Sequence, residues 1–128
     1  MIHVTCAIIE NAQNQVLVTQ RSATMSQPLK YEFPGGKIEP GEDPVSCLIR
    51  EIKEELDVDI SIKFEMSAHI HSYTELDINL IPFVCEIISG SVKLKEHSAY
   101  YWLDKEGLND LDWAAADIPV LQNYLAAI

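Results

Sequence analysis

A chain of 128 residues with 9 Lys and Arg against 20 Asp and Glu carries a formal charge of −11. That balance excludes a protein that grips a nucleic-acid backbone, which needs clustered cations to release counterions, but not one that binds a small phosphorylated ligand through a metal ion. The length and the 48% hydrophobic content suit one domain, residues 1–128, with an ordinary packed core.

The opening residues, Met1-Ile2-His3-Val4-Thr5, have no basic start, and polar residues soon end the apolar run, so no secretory leader is expected. No stretch reaches the roughly 18 apolar residues of a membrane span. Cys6, Cys47 and Cys85 sit in apolar contexts without a C-x-x-C pairing; they read as reduced core thiols, hence a cytoplasmic protein. Ile2 to Glu10 is rich in β-branched residues and predicts a buried strand. Asn11-Ala12-Gln13-Asn14 is a turn signal and Gln15 to Gln20 a returning strand, together predicting a hairpin. Ser22 to Lys30 is polar, contains Pro28, and reads either as a plain connection or as a flap beside a site.

Pro34-Gly35-Gly36 and Glu39-Pro40-Gly41-Glu42 are turn signals that lead into a helix. Asp43 suits its N-cap and Pro44 its first position, and the spacing predicts a helix from Pro44 to Leu56. Val45, Leu48, Ile49, Ile52 and Leu56 form its apolar side. Downstream, Ile60 to Phe64, Met66 to Tyr73, Asp77 to Ile88 and Tyr100 to Leu103 predict strands. Asp104 to Asn109 reads as a polar turn or short helix, and Asp117 as the cap of a final helix carrying Pro119 early. Strands, helix, strands and a closing helix predict an α+β fold.

The chemistry concentrates on the central helix. Glu51, Glu54 and Glu55 stand at i, i+3 and i+4, so they project from one face. Three carboxylates there repel one another, and a divalent cation is the simplest remedy. Oxygen-only ligands favour Mg²⁺, or Mn²⁺, over zinc. His69 and His71 alternate on one strand face and read as an exposed pair, since no third ligand lies at zinc spacing.

The stretch Gly36-Lys37-Ile38-Glu39-Pro40-Gly41-Glu42, followed by Arg50-Glu51-Ile52-Lys53-Glu54-Glu55-Leu56-Asp57-Val58, resembles the Nudix box, G-x5-E-x7-R-E-U-x-E-E-x-G-U with U a bulky aliphatic. One place departs, Asp57 standing where the motif has its late glycine; this bears on the helix end and leaves the ligand face alone. Glu32-Phe33-Pro34-Gly35-Gly36-Lys37 extends the resemblance to the MutT-like branch, and it covers nearly the whole chain. It implies an α/β/α sandwich with a mixed sheet between two helices. It also implies a metal-dependent hydrolase that cleaves nucleoside triphosphates to nucleoside monophosphate and pyrophosphate. In that resemblance Glu51, Glu54 and Glu55 bind Mg²⁺ with a carbonyl at Gly35 or Gly36. Arg50 and Glu42 form an orienting pair, for which an i,i+4 bond from Arg50 to Glu54 is the plain alternative. Arg21 and Lys37 are candidates for holding phosphate, and Glu96 for binding metal or serving as base on the attacking water. Ala116-Asp117-Ile118-Pro119 resembles the segment that reads the nucleobase edge, with Asp117 where the oxidised-guanine hydrolases show an Asn, and it also resembles the cytidine-triphosphate hydrolases. Tyr73 falls where some hydrolases of dinucleoside polyphosphates carry a tyrosine. The expected partner is a nucleotide, with no nucleic acid and no membrane, on a monomer or dimer. A nucleotide-sugar substrate and a non-catalytic nucleotide sensor are the remaining alternatives.

Overall fold

The computed structural model describes residues 1–128. Successive residues of β1 (Ile2–Ile9) face two different cores: Cys6 and Ile8 join one cluster, Ala7 and Ile9 the other. A strand apolar on both faces must lie between two covering layers, and here each layer includes a helix. β2 (Gln15–Gln20) divides in the same way, with Val16 and Val18 on one side and Leu17 on the other.

The strand pairing overturns the expected hairpin. Apart from an isolated bridge between Glu10 and Val16, β1 and β2 do not form a ladder and belong to different sheets. β1 runs parallel to β7 (Leu76–Ser89) from the Ile2–Ile78 pair to Ile9–Cys85. β2 pairs antiparallel with β3 (Tyr31–Glu32) and with β8 (Ala99–Asp104). The sheet containing β1 is completed by three further strands. β4 (Gly35–Lys37) borders β1, while β5 (Asp59–Glu65) and β6 (His69–Tyr73) border successive parts of the long β7. The result is the expected α+β sandwich, with the sheet layer split into a five-stranded mixed sheet and a three-stranded antiparallel one.

α1 (Pro44–Leu56) has the predicted bounds because both ends are chemically specified. The Asp43 carboxylate accepts the Ser46 N–H at 2.8 Å, with Pro44 at the first helical position. At the other end Asp57 adopts φ 58° and ψ 36°, the left-handed conformation that the motif glycine would otherwise supply. Its N–H donates to the Lys53 carbonyl, and the Leu56 carbonyl accepts from Lys93 N–H at 2.8 Å. Cys47, Leu48, Ile52 and Leu56 are buried, whereas Val45 and Ile49 are 38% and 39% exposed. The buried stripe is therefore narrower than expected and shifted toward Cys47.

A 3₁₀ helix occupies Lys105–Asp110, and α2 (Asp117–Ala126) covers the other face with Val120, Leu121 and Tyr124. Asp117 does not cap α2: it lies in the first turn, and its side chain bonds elsewhere.

Candidate active site

β3, β4 and α1 bring the motif residues together. Gly36 pairs with Thr5, and Gly35 with Cys6, across the β1–β4 ladder. A Cβ on Gly35 would lie 2.0 Å from the Thr5 carbonyl oxygen, and one on Gly36 would lie 2.2 Å from the Glu51 carboxyl carbon. Gly35 is thus required by its close approach to backbone, whereas a side chain at Gly36 would have to displace the Glu51 carboxylate, which sits against the turn. The Gly36 carbonyl accepts from the Thr5 hydroxyl at 3.3 Å and from the Cys47 thiol at 3.7 Å.

Arg50 is the hub of the acidic face. It clasps Glu42 with two bonds of 2.7 and 2.9 Å, and its Nη1 reaches Glu51 at 2.9 Å and Glu54 at 3.2 Å. The expected Glu42 pair and the i,i+4 bond to Glu54 therefore coexist. The Arg50 hydrogen bonds hold the Glu42 carboxyl down at about 2. Burial pushes Glu51 up, against the pull of Arg50. Glu55 is raised to about 7, chiefly by burial and further by the charges of Glu51, Glu32 and Glu96, with His97 opposing. One Glu55 oxygen is buried without any hydrogen-bond partner.

The oxygen donor set, the unpartnered Glu55 oxygen and the Gly36 cradle fit a hard divalent cation. No three acidic or imidazole groups already converge at ligand spacing, since Arg50 holds Glu51 and Glu54 to itself. Glu96 is exposed on the segment before β8, near enough to Glu55 for its charge to raise that carboxyl.

Beside this face opens a mostly apolar cavity of about 430 Å³, walled by Val4, Ile78, Leu80, Ala114 and Ala116. Its polar groups are Arg21, Gln27, Glu32 and Asp117, together with Tyr73, whose hydroxyl accepts from Gln27. A smaller cavity of about 190 Å³ shares Arg21, Glu32 and Asp117 and continues to Gly36, Glu55 and His97. Asp117 is 7% exposed and accepts the Phe33 N–H at 2.8 Å. Burial raises its carboxyl to about 8, the Phe33 bond opposing, so it holds a proton near neutrality.

Of the residues expected to hold phosphate, Arg21 lines both cavities, but its guanidinium is engaged with Glu32 at 2.8 Å and the Ser26 carbonyl at 2.6 Å. Lys37 is exposed and lines neither cavity; only its carbonyl meets the cluster, accepting from Arg50 at 3.4 Å. His69 and His71 are half-buried rather than exposed, with His71 edge-on to Tyr73 at 4.5 Å.

Two residues given no role by the sequence stand at the centre. Glu32 joins Arg21 to His97, whose Nε2 lies 2.8 Å from the Glu32 carboxylate. His97 is 8% exposed although it lies in a polar stretch between strands. The Glu32 signal was its place directly before the glycine turn; for His97 only adjacency to Glu96 offered one.

Carboxylates gathered at a glycine turn, beside an apolar cavity with a few convergent polar groups, are parts that a hydrolase of phosphoric anhydrides needs. The NUDIX domain family matches residues 1–124, and the chain belongs to that family of hydrolases. It is similar to the CTP pyrophosphohydrolase of Escherichia coli, 33% identical over 98% of this chain and 93% of that protein. It is also similar to the 8-oxo-dGTP diphosphatase of Escherichia coli, 31% identical over 94% of this chain and 93% of that protein. Among solved structures, the mismatch-repair protein MutT of methicillin-resistant Staphylococcus aureus superposes with a TM-score of 0.79. That pair is 37% identical, covering 99% of this chain and 97% of that one. Nudix hydrolases generally work with a divalent metal ion.

Proposed function

We propose that this protein is a Mg²⁺-dependent pyrophosphohydrolase that splits nucleoside triphosphates into nucleoside monophosphate and pyrophosphate. The observation that carries the reading is the shared wall of the two cavities: Arg21, Glu32 and Asp117 border both. A base in the larger cavity then directs its phosphates toward Gly36 and Glu55. The similarity to hydrolases named for CTP and for 8-oxo-dGTP supports a triphosphate of one of these two kinds.

Glu51, Glu54, Glu55 and the Gly36 carbonyl would hold the ion, with Mn²⁺ as a substitute. When bound, the cation neutralises the polyphosphate and sharpens a water for attack on phosphorus. The chain's own residues do the rest. Arg50 and Glu42 keep Glu51 and Glu54 oriented against the turn. Arg21, once released from part of its contact with Glu32, offers charge to the phosphates. Protonated Asp117 donates to an acceptor on the base edge, and Glu32 accepts from an exocyclic amine. The apolar walls exclude water from the base. Glu96 is the candidate to take the proton of the attacking water.

The test is hydrolysis of CTP, 5-methyl-dCTP, 8-oxo-dGTP and diadenosine tetraphosphate side by side with Mg²⁺, read by chromatography of the nucleotide products, with pyrophosphate release measured for the triphosphates. A triphosphate should be turned over fastest, and Glu54→Gln should lower kcat about 100-fold or more while the fold persists. Tight nucleotide binding with no turnover of any triphosphate would establish a sensor instead. Unchanged activity in Glu54→Gln would overturn the metal-site assignment.

A further inference from the structure

His97 is the one buried imidazole at the site, and its two nitrogens meet different carboxylates. Nε2 is fixed on Glu32 at 2.8 Å, and Glu32 is in turn held by both oxygens to Arg21 at 3.1 and 2.8 Å. Nδ1 faces the Glu55 oxygen at 3.9 Å, and these two atoms are both buried without a hydrogen-bond partner. Two opposed orphan atoms are a costly arrangement in a closed site, and native structures keep them rare. The segment carrying the ring is tethered to the end of β2, where Ser98 N–H donates to the Gln20 carbonyl at 2.9 Å.

We propose that His97 is a positioning residue for the metal site. Anchored through Nε2 on the Glu32–Arg21 pair, it presents Nδ1 to Glu55 and fixes the direction in which that carboxylate faces the cation. The same strut ties the metal side of the site to the wall of the base cavity, because Glu32 lines both cavities. A small turn of the Glu55 side chain brings the two atoms within hydrogen-bond reach. This inference rests on the assignment of Glu55 as a metal ligand.

Mn²⁺ affinity, read by electron paramagnetic resonance of the free ion in the absence of nucleotide, tests it without recourse to turnover. An Asn side chain places its amide where Nδ1 stands, and a Gln side chain places it where Nε2 stands. His97→Asn keeps the group that meets Glu55 but loses the anchor on Glu32. It should therefore lose less Mn²⁺ affinity than His97→Gln, which loses the group itself and about tenfold or more in affinity. In a Glu55→Gln background the His97→Gln loss should vanish, since the strut has nothing left to orient. Equal losses in the two His97 variants, or an undiminished loss in the Glu55→Gln background, would overturn the proposal. If Glu55→Gln alone leaves Mn²⁺ binding intact, the ligand assignment fails, which is a separate outcome. Circular dichroism on each variant establishes that it is folded, and if His97→Asn does not fold, the Glu55→Gln cycle decides alone.

Discussion

Replacing Asp117 with Asn should flatten the stability of the protein between pH 3.8 and about 8. In the folded chain the Asp117 carboxyl is buried between α2 and the Phe33 backbone and titrates near 8, against an ordinary value of 3.8. The folded state therefore keeps this proton when the unfolded chain has released it. A raised acid of this kind penalises folding progressively as pH climbs through that window and leaves stability whole below it. With one pKa unit worth about 1.4 kcal/mol, the full span approaches about 6 kcal/mol, a large share of the total stability of a small domain. Asn keeps an acceptor for the Phe33 N–H and removes the titration. Urea unfolding at about pH 4 and about pH 8.5 reads the difference: both proteins should be alike in acid, and the Asn variant more stable by several kcal/mol in base. Parallel profiles for the two proteins, with equal urea slopes, would refute the account of Asp117 as a carboxyl held neutral by burial.

Gly36→Ala should weaken Mn²⁺ binding about tenfold or more, because its methyl group would lie 2.2 Å from the Glu51 carboxyl carbon and must push that side chain aside; an unchanged titration would show that Glu51 is not held by the turn. Asp57→Ala should cost about 1 kcal/mol and lower Tm by about 3 to 5 °C, since φ is 58° there, whereas Asp57→Gly should stay within about 0.5 kcal/mol because relief of strain is offset by a freer unfolded chain. Glu42→Gln should soften acid denaturation: the Glu42 carboxyl is depressed to about 2 by Arg50, so its contribution is present above 4.5 and lost as pH falls toward 2, and a wild-type acid limb in the variant would refute that.

Local chemistry made α1 legible. Asp43, Pro44 and Asp57 act within a turn of their own positions, so its bounds and the glutamate face follow from sequence alone. The same holds for the glycine turn and for the Arg50–Glu42 pair, which the motif spacing brings together. Pairing of β1 was illegible for the opposite reason. Asn11 to Asn14 is a good turn, but β1 takes its ladder partners from β7 and β4, distant in sequence, and no local signal names them. Val45 and Ile49 looked like core because helical spacing gives a stripe and not its edges; the strands packed against α1, β1, β4 and β5, decide how wide a face is covered.

Asp117 marks where local reasoning reaches its limit. A short acidic side chain two residues before a proline, at the start of a helix, satisfies every sequence criterion for a cap. The same residue type serves equally well for reading a base edge, so sequence alone leaves the two roles level. What separates them is a bond to Phe33, 84 residues away, which turns the carboxylate from its own helix into the wall shared by both cavities. His97 follows the same rule. Its neighbours in sequence are polar, and the groups it meets, Glu32, Glu55 and the end of β2, lie far from it along the chain. The residues most specific to this site are thus those whose partners lie farthest along the chain. A motif that spans one turn and one helix gathers the carboxylates and leaves the cavity wall to long-range contacts.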